Sequence, residues 1–475
     1  MGRLFGTDGV RGIANKELTP DLAFKIGRAS AYVLMGAAVN CNQIEDLGSF
    51  HRGGISRSKA PDAAPNRPRI LVGCDTRVSC AMLEAALCAG ICSVGAEAVI
   101  VGVVPTPAIA YLVRSENADA GVVISASHNS FEHNGIKWFN GEGFKLSDEI
   151  EKRIEAIILD DAETIESPTG GDVGRISNAP ELAEKYIKYA ISMVDTEFDG
   201  LKIALDCANG ASSATAKAAF TALGADVHVI HDKPNGVNIN ENCGSTHMEN
   251  LTAFVKETGA DVGIAFDGDA DRTLMTDENG ELVDGDKIML MLAFDMQKRG
   301  KLKDNTLVAT VMSNLGLFVA AEKLGINVLK AAVGDRYVLE EMQKGGYNIG
   351  GEQSGHVILL DHNTTGDGLA TALAVAQLMK QSGKKLSELA EIMQVYPQVM
   401  FNAIVSNENK AKLATDEEIN RAIGAAEERF KGDGRVLVRA SGTEALIRVM
   451  IEGKDIEKIT ESAREIADLI ERKLG

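Results

Sequence analysis

The sequence predicts an α/β protein of several domains, with three related strand–helix–strand units and a smaller α+β domain after them. Three observations support this. First, a weak repeat runs through the chain: RILVGCD (69–75), KIALDCANG (202–210) and TLVATVMSN (306–314) each lead into a helical stretch, and GAEAVIV (95–101), GADVHVI (224–230) and GINVLKA (325–331) follow in turn. Each unit is an apolar β-branched run, a polar turn, a helix-period segment, a glycine and a second apolar run, whose natural geometry is a parallel crossover. Their wide separation indicates three similar domains rather than a solenoid. Second, GRVLVRASGTEALIRVMIEG (434–453) reads as two strands across a polar loop, and the following DIEKITESAREIADLIERKL as an amphipathic helix. Third, 475 residues exceed what one core accommodates. Boundaries near Gly170-Gly171, Thr276–Gly280 and Gln394–Val399 divide the chain into 1–170, 171–278, 279–394 and 395–475.

Composition narrows the function classes. A hydrophobic content of 45% with 25% charged residues is that of a soluble globular protein. A formal charge of −19 argues against a nucleic-acid backbone or an anionic membrane as the main partner. A small anionic substrate in a local basic pocket stays open. The start, MGRLFGTDGVRG, has no apolar signal core, and no run approaches a membrane span. Seven scattered cysteines without a CxxC pair, Cys88 and Cys92 being four apart in a helical stretch, fit reduced thiols in a cytoplasm.

In chain order, FGTDGVRG is turn-rich, and a helix follows with Thr19 as N-cap and Pro20 at its first position. Residues 41–68 lose periodicity and read as a long surface loop. In GVVISASHN (121–129) a buried parallel strand ends in small polar residues, which places Ser127 at the sheet mouth, where open α/β sheets bind ligands. Alone, this stretch is either a Ser-Asn turn or a serine that other groups make reactive.

DVGIAFDGDADRTLM (261–275) runs a strand into Asp267, Asp269 and Asp271. Such repulsion calls for a cation, and the oxygen ligands suit Mg2+ or Ca2+; a solvated acidic turn is the other reading. An EF-hand is excluded, because Arg272 takes the sixth position, where that loop needs glycine. Arg272 could hold a phosphate oxygen or pair with a carboxylate.

GGEQSGHVI (350–358) offers Glu352, Gln353, Ser354 and His356, short polar groups suited to sugar hydroxyls, in a glycine-rich loop of a kind also common as plain structure. His356 is either a proton shuttle or a hydrogen-bonded structural histidine. RASGTEALIR (439–448) brings Arg439, the Ser441 and Thr443 hydroxyls, the Gly442 N–H and Arg448 around one turn, either an anion nest for a phosphate or a hairpin with a surface arginine. Arg11 and Lys137 are the other candidate charges. A serine, a cation site, a sugar loop and an arginine nest, each in a different predicted domain, make sense together in one cleft performing phosphoryl transfer.

SASHN, DGDADR, GGEQSGH and RASGTE, in this order, resemble the four signatures of the α-D-phosphohexomutase superfamily, and FGTDGVRG with the GEQSGH form of the sugar loop resembles its phosphoglucosamine mutase branch. The resemblance covers nearly the whole chain. It implies three related mixed α/β domains and a C-terminal α+β domain of TATA-binding-protein-like topology around a central cleft. It further implies a phosphoserine at Ser127, with Mg2+ on Asp267, Asp269, Asp271 and the Ser127 phosphate. Sugar contacts fall on Glu352, Gln353 and Ser354, and phosphate contacts on Arg439, Ser441, Gly442, Thr443 and Arg448. Arg11, His128, Lys137 and His356 fall near the transferring group, with the general acid/base unassigned among Arg11, Lys137 and His356.

The implied reaction converts glucosamine 6-phosphate to glucosamine 1-phosphate through glucosamine 1,6-bisphosphate. The implied partner is a hexosamine phosphate, with neither nucleic acid nor membrane, and a homodimer is the assembly to expect if there is one. Three departures stand out: Ser130 and Ala445 replace prolines usual in relatives, and residues 41–68 look like an insertion. Rival functions are a phosphomannomutase or phosphoglucomutase, a silent sugar-phosphate-binding protein, and a plain Mg2+ phosphatase.

Overall fold

The structure, a computed structural model, describes residues 2–6, 8–40, 67–441 and 444–475. Of the loop expected at 41–68, residues 41–66 lie outside the described residues. The described chain divides into two compact units, Met1–Val311 with Leu329–Ala390, and Met312–Val328 with Glu391–Gly475.

In the first unit the repeat becomes three sheets. The first contains β1 (Val10–Ile13), β2 (Arg69–Cys74), β3 (Glu97–Val103), β4 (Ala120–Ile124), β5 (His133–Asn140) and β6 (Arg175–Asn178), in the order β1-β5-β4-β2-β3-β6. β2 is parallel to β3 and β4, whereas β5 runs antiparallel to β4 and β1. All of β4, and all of β2 beyond Arg69, is buried, which explains runs such as AGVVI that do not alternate. The helix Pro20–Asn40 begins as expected, the Thr19 hydroxyl accepting from the Leu22 N–H at 3.2 Å. It crosses the helix Cys80–Cys92 through two glycines: a Cβ on Gly27 would fall 2.3 Å from the Leu87 carbonyl oxygen, and one on Gly90 2.2 Å from that of Phe24.

The second sheet has β7 (Lys202–Asp206), β8 (Asp226–Ile230), β9 (Val262–Phe266), β10 (Thr273–Asp277) and β11 (Leu282–Val283), in the order β11-β10-β9-β7-β8. β7 is parallel to β8 and β9, and β9 to β10 is an antiparallel hairpin. The third has β12 (Thr306–Thr310), β13 (Asn327–Ala331), β14 (Ile349–Gly351) and β15 (Val357–Leu359), in the order β13-β12-β14-β15, with β14 parallel to β12 and antiparallel to β15. Each of the three chemical motifs of this unit therefore occupies the same topological place, the loop joining a parallel strand to its antiparallel neighbour. These are 125–132 after β4, 267–272 after β9 and 352–356 after β14.

The second unit holds β16 (Gln398–Ile404), β17 (Gly434–Ala440) and β18 (Leu446–Gly453), an antiparallel sheet in the order β16-β18-β17. Ile447, Val449 and Ile451 on one face of β18 pack with Ile459, Ile466 and Ile470 of the helix Ile456–Leu474, the expected α+β arrangement. This unit also takes in the helix Leu315–Lys323. Asn314 caps that helix through the Gly316 N–H, and its side chain exchanges two 3.0 Å hydrogen bonds with the Tyr396 backbone.

Candidate active site

β4 delivers Ser127 into a buried turn. The residue is 1% exposed and holds a left-handed φ of +52°, a conformation that costs a residue with a Cβ and is kept where surroundings impose it. Its hydroxyl donates to Asp267 Oδ2 at 2.6 Å and lies 3.3 Å from His128 Nδ1. Burial, with the nearby guanidiniums of Arg272 and Arg11, pushes His128 down to about 4, so its ring is neutral at pH 7.

Asp267, Asp269 and Asp271 are all buried, and one oxygen from each lies within 4.8 Å of the others. Burial first, then the carboxylates of Asp271 and Asp269, push the Asp267 carboxyl well above its usual range. Burial acts the same way on Asp269, but the Lys137 ammonium outweighs it and holds that group down at about 2. Asp269 Oδ1 and Asp271 Oδ1 are buried without a hydrogen-bond partner. Three buried carboxylates, two of them with an unpartnered oxygen, fit a divalent cation such as Mg2+. A solvated acidic turn is ruled out, since none of the three carboxylates reaches solvent to any extent.

Lys137 projects from β5 and is 1% exposed, its ammonium 2.8 Å from Asp8, 2.7 Å from Asp269 and 3.7 Å from Asp271. Burial disfavours its charge, but Asp269, Asp8 and Asp271 together raise its pKa above the ordinary lysine value. It is a fixed positive charge. Arg11, on β1, is paired with Asp8, and Lys145 joins Asp8 to Asp335, which it meets at 2.5 Å. Arg272, 3.9 Å from Asp271, is likewise kept charged: burial opposes this, and Asp271, Asp267 and Glu352 prevail.

The sugar loop is tied to the acidic hairpin by the Thr273 N–H, which donates to the Gly355 carbonyl at 3.0 Å. Ser354 is exposed, Glu352 accepts from the Gly334 N–H at 3.2 Å, and Gln353 donates to Asp284 at 3.1 Å. His356 is 2% exposed with Nε2 3.6 Å from Asp335, and neither ring nitrogen has a hydrogen-bond partner.

In the second unit, Arg439 on β17 stands directly across from Arg448 on β18. Like charges in that register repel unless an anion lies between them. Burial and then Arg448 lower the Arg439 pKa. Arg448 reaches Glu444 at 2.5 Å, and Ser441 is buried, its hydroxyl accepting from the Glu444 N–H at 3.1 Å. Lys410, a cation the sequence reading passed over, donates to the Ser441 carbonyl at 2.7 Å. Gly442 and Thr443 lie outside the described residues.

Comparison with known proteins agrees with this arrangement. Models of the phosphoglucomutase/phosphomannomutase alpha/beta/alpha domains I, II and III match residues 54–164, 184–280 and 284–396, and that of the C-terminal domain matches 400–469. A phosphoglucosamine mutase of Acetivibrio thermocellus is 55% identical over 475 residues, covering 100% of both chains. The chain belongs to the phosphoglucosamine mutase family. A second member, from Clostridium novyi, is 55% identical over 473 residues, covering 100% of this chain and 99% of its own. Among solved structures, a phosphoglucomutase/phosphomannomutase family protein from Burkholderia thailandensis shares the fold at a TM-score of 0.80 and 22% identity, covering 99% of this chain and 98% of that one.

The structure adds residues around the family motifs that sequence reasoning missed. Asp8 binds three cations, and Thr106 donates to Asp269 at 2.6 Å. Asp75, Arg77 and Asn240 surround the Ser127 loop. The strand-mouth rule that found Ser127 applies equally to Asp75, which follows β2, the strand beside β4.

Proposed function

We propose that the chain, an isomerase interconverting glucosamine 6-phosphate and glucosamine 1-phosphate, works through a phosphorylated Ser127 and a 1,6-bisphosphate intermediate. The observation that carries this is the buried Ser127 hydroxyl 2.6 Å from Asp267, at the edge of a carboxylate triplet that also holds Lys137. In the first half-reaction the bond between phosphorus and Ser127 Oγ breaks and one forms to the free sugar hydroxyl, whose proton leaves to a base. After the bisphosphate turns over, the other phosphoryl group returns to Ser127 Oγ. Catalysis of this kind is mostly positioning and charge stabilisation.

Lys137, Arg11 and Arg272 supply fixed positive charge, and the imidazole of His356, buried with both ring nitrogens unpartnered, carries the proton. Mg2+, when held by Asp267, Asp269 and Asp271 with the Ser127 phosphate, would neutralise charge developing on the phosphoryl oxygens. Glu352, Gln353 and Ser354 hold the hexosamine hydroxyls. Arg439, Ser441, Gly442, Thr443 and Arg448 hold the phosphate that is not reacting, a role supported by the facing Arg439 and Arg448. Four sheets and four matched segments support a division into four parts near 1–170, 171–278, 279–394 and 395–475, although β6 pairs in the first sheet and β11 in the second, each just beyond those bounds. Free thiols at all six described cysteines support a cytoplasmic place of action.

Peptide mass analysis tests the mechanism. Phosphate is expected on Ser127, and Ser127→Ala is expected to abolish turnover while sparing sugar-phosphate binding. An active Ser127→Ala variant refutes the phosphoserine route. A coupled assay on glucosamine, glucose and mannose phosphates tests sugar preference, and faster turnover of mannose 1-phosphate would overturn it.

A further inference from the structure

A serine that donates its phosphoryl group to one end of a sugar and accepts it back from the other must hold its aim without help from any single bound pose. The backbone must do it. Around Ser127 the hydrogen bonds are arranged for that purpose, on both sides of the residue. Its N–H donates to Ser125 Oγ at 3.0 Å, and that hydroxyl donates to Asp75 Oδ2 at 2.6 Å. Its carbonyl accepts twice, from Arg77 Nη2 and from Asn240 Nδ2, each at 2.9 Å. The same two donors reach the Asn129 carbonyl at 2.9 and 3.0 Å, and Arg77 Nη1 donates to that of Ser130.

We propose that Arg77 and Asn240 are positioning residues for phosphoryl transfer, holding the strained Ser127 turn by its carbonyl oxygens; this rests on the reading of Ser127 as the phosphoryl carrier. The Arg77 side chain is fully buried. A buried guanidinium needs a counter-charge, and Asp75 supplies it at 2.9 Å through Nε. That pair alone would satisfy a structural role. The remaining fork of the guanidinium is directed wholly at three carbonyls of one loop, the planar multi-donor geometry that lysine lacks.

Asn240 comes from the domain that carries the acidic triplet, and Gly268 of that triplet's loop lies flat against the same carbonyl: a Cβ there would fall 2.5 Å from the Ser127 oxygen and 2.9 Å from Asn240 Nδ2. The serine and the acidic loop are thus set in register by the contacts that hold the turn left-handed. The fork also pins Ser130, so the loop is held on both sides of Asn129.

The test uses the full-length protein in Asn240→Ala and Arg77→Lys forms. Steady-state kinetics with glucosamine 6-phosphate are expected to show kcat lowered at least tenfold, KM within threefold of the unaltered protein, and a folded fraction unchanged by circular dichroism. Phospho-Ser127 is expected to be lost to water faster, so both variants depend more strongly on added hexose 1,6-bisphosphate. Asn240→Ala removes two hydrogen bonds and no charge, so it decides the matter if Arg77→Lys does not fold. Unchanged kcat in folded Asn240→Ala, or a loss that only tracks the folded fraction, overturns the positioning role. Peptide mapping of the unaltered protein runs alongside. If it finds Ser127 unmodified and Ser127→Ala active, the carrier reading itself has failed and the positioning role falls with it.

Discussion

Replacing Lys137 with methionine removes one charge from the centre of the site and leaves its shape nearly intact. The ammonium touches Asp269 at 2.7 Å and Asp8 at 2.8 Å in a place with 1% exposure. At an effective dielectric of about 20, each contact has a gross Coulomb energy of about 6 kcal/mol. The cost of desolvating the lysine offsets much of this. Breaking a buried pair from one side leaves the partner charge uncompensated, and the net loss is about 3–5 kcal/mol. With urea slopes of up to about 3 kcal/mol per M for small domains and somewhat more here, the midpoint should fall by about 1 M in metal-free buffer.

The expected kcat loss is on the order of 100-fold or more, as for removal of a group that stabilises transition-state charge. Asp269→Asn in the Lys137→Met background should recover part of the midpoint, because the stranded carboxylate is gone, while activity stays lost. Urea unfolding followed by circular dichroism, with a coupled mutase assay, reads both quantities. A Lys137→Met protein with an unchanged midpoint, or a double variant no more stable than the single one, would show that the ammonium does not neutralise this cluster.

Three further outcomes are expected. Arg439→Ala should raise KM for the sugar phosphate at least tenfold with a smaller change in kcat, and should abolish any rise in thermal midpoint that inorganic phosphate gives; equal KM values in both proteins would count against the anion nest. Glu155 accepts the N–H groups of Leu4 and Phe5 at 2.6 and 2.8 Å, and although burial opposes ionisation, these bonds hold its pKa below the ordinary glutamate value. The stabilisation is therefore present above about pH 4.3 and lost as pH falls through the lower folded value, and Glu155→Gln should lose about 1–3 kcal/mol at neutral pH and flatten that acid limb in a pH series of urea midpoints. Gly27→Ala should destabilise by about 1–3 kcal/mol, because the added methyl meets the Leu87 carbonyl at 2.3 Å, and a wild-type melting temperature would refute the close crossing.

The strands, the helix started by Thr19 and the acidic triplet could be read from residue order because each rests on local pattern. AGVVI is a strand buried on both faces, and DGDAD crowds three carboxylates whose repulsion a cation would offset. What escaped was tertiary. Arg77 follows Asp75 in a short polar turn, where an arginine ordinarily reads as exposed; only the packing of that turn against the Ser127 loop buries it. Asp8 lies in FGTDGVRG, and nothing in that string says that Lys137 and Lys145 will converge on it from another strand and a loop. Lysine at 137 reads as a surface charge on the same grounds, yet the structure makes it one of the largest fully buried side chains.

The segment Met312–Val328, with its capped helix, belongs to the unit completed by Glu391–Gly475. That unit is therefore assembled from pieces made at different times. As the chain emerges from the ribosome, Asn314 has no Tyr396 to hold, and the Ser313 carbonyl lacks its bond from Arg435, until the last stretch has been synthesised. Residues 395–475 expressed alone would lack both the helix and its cap. The usual cut at a domain boundary would yield a sheet with one side unfinished, whereas a fragment supplemented with a 312–328 peptide offers a way to rebuild the unit from outside.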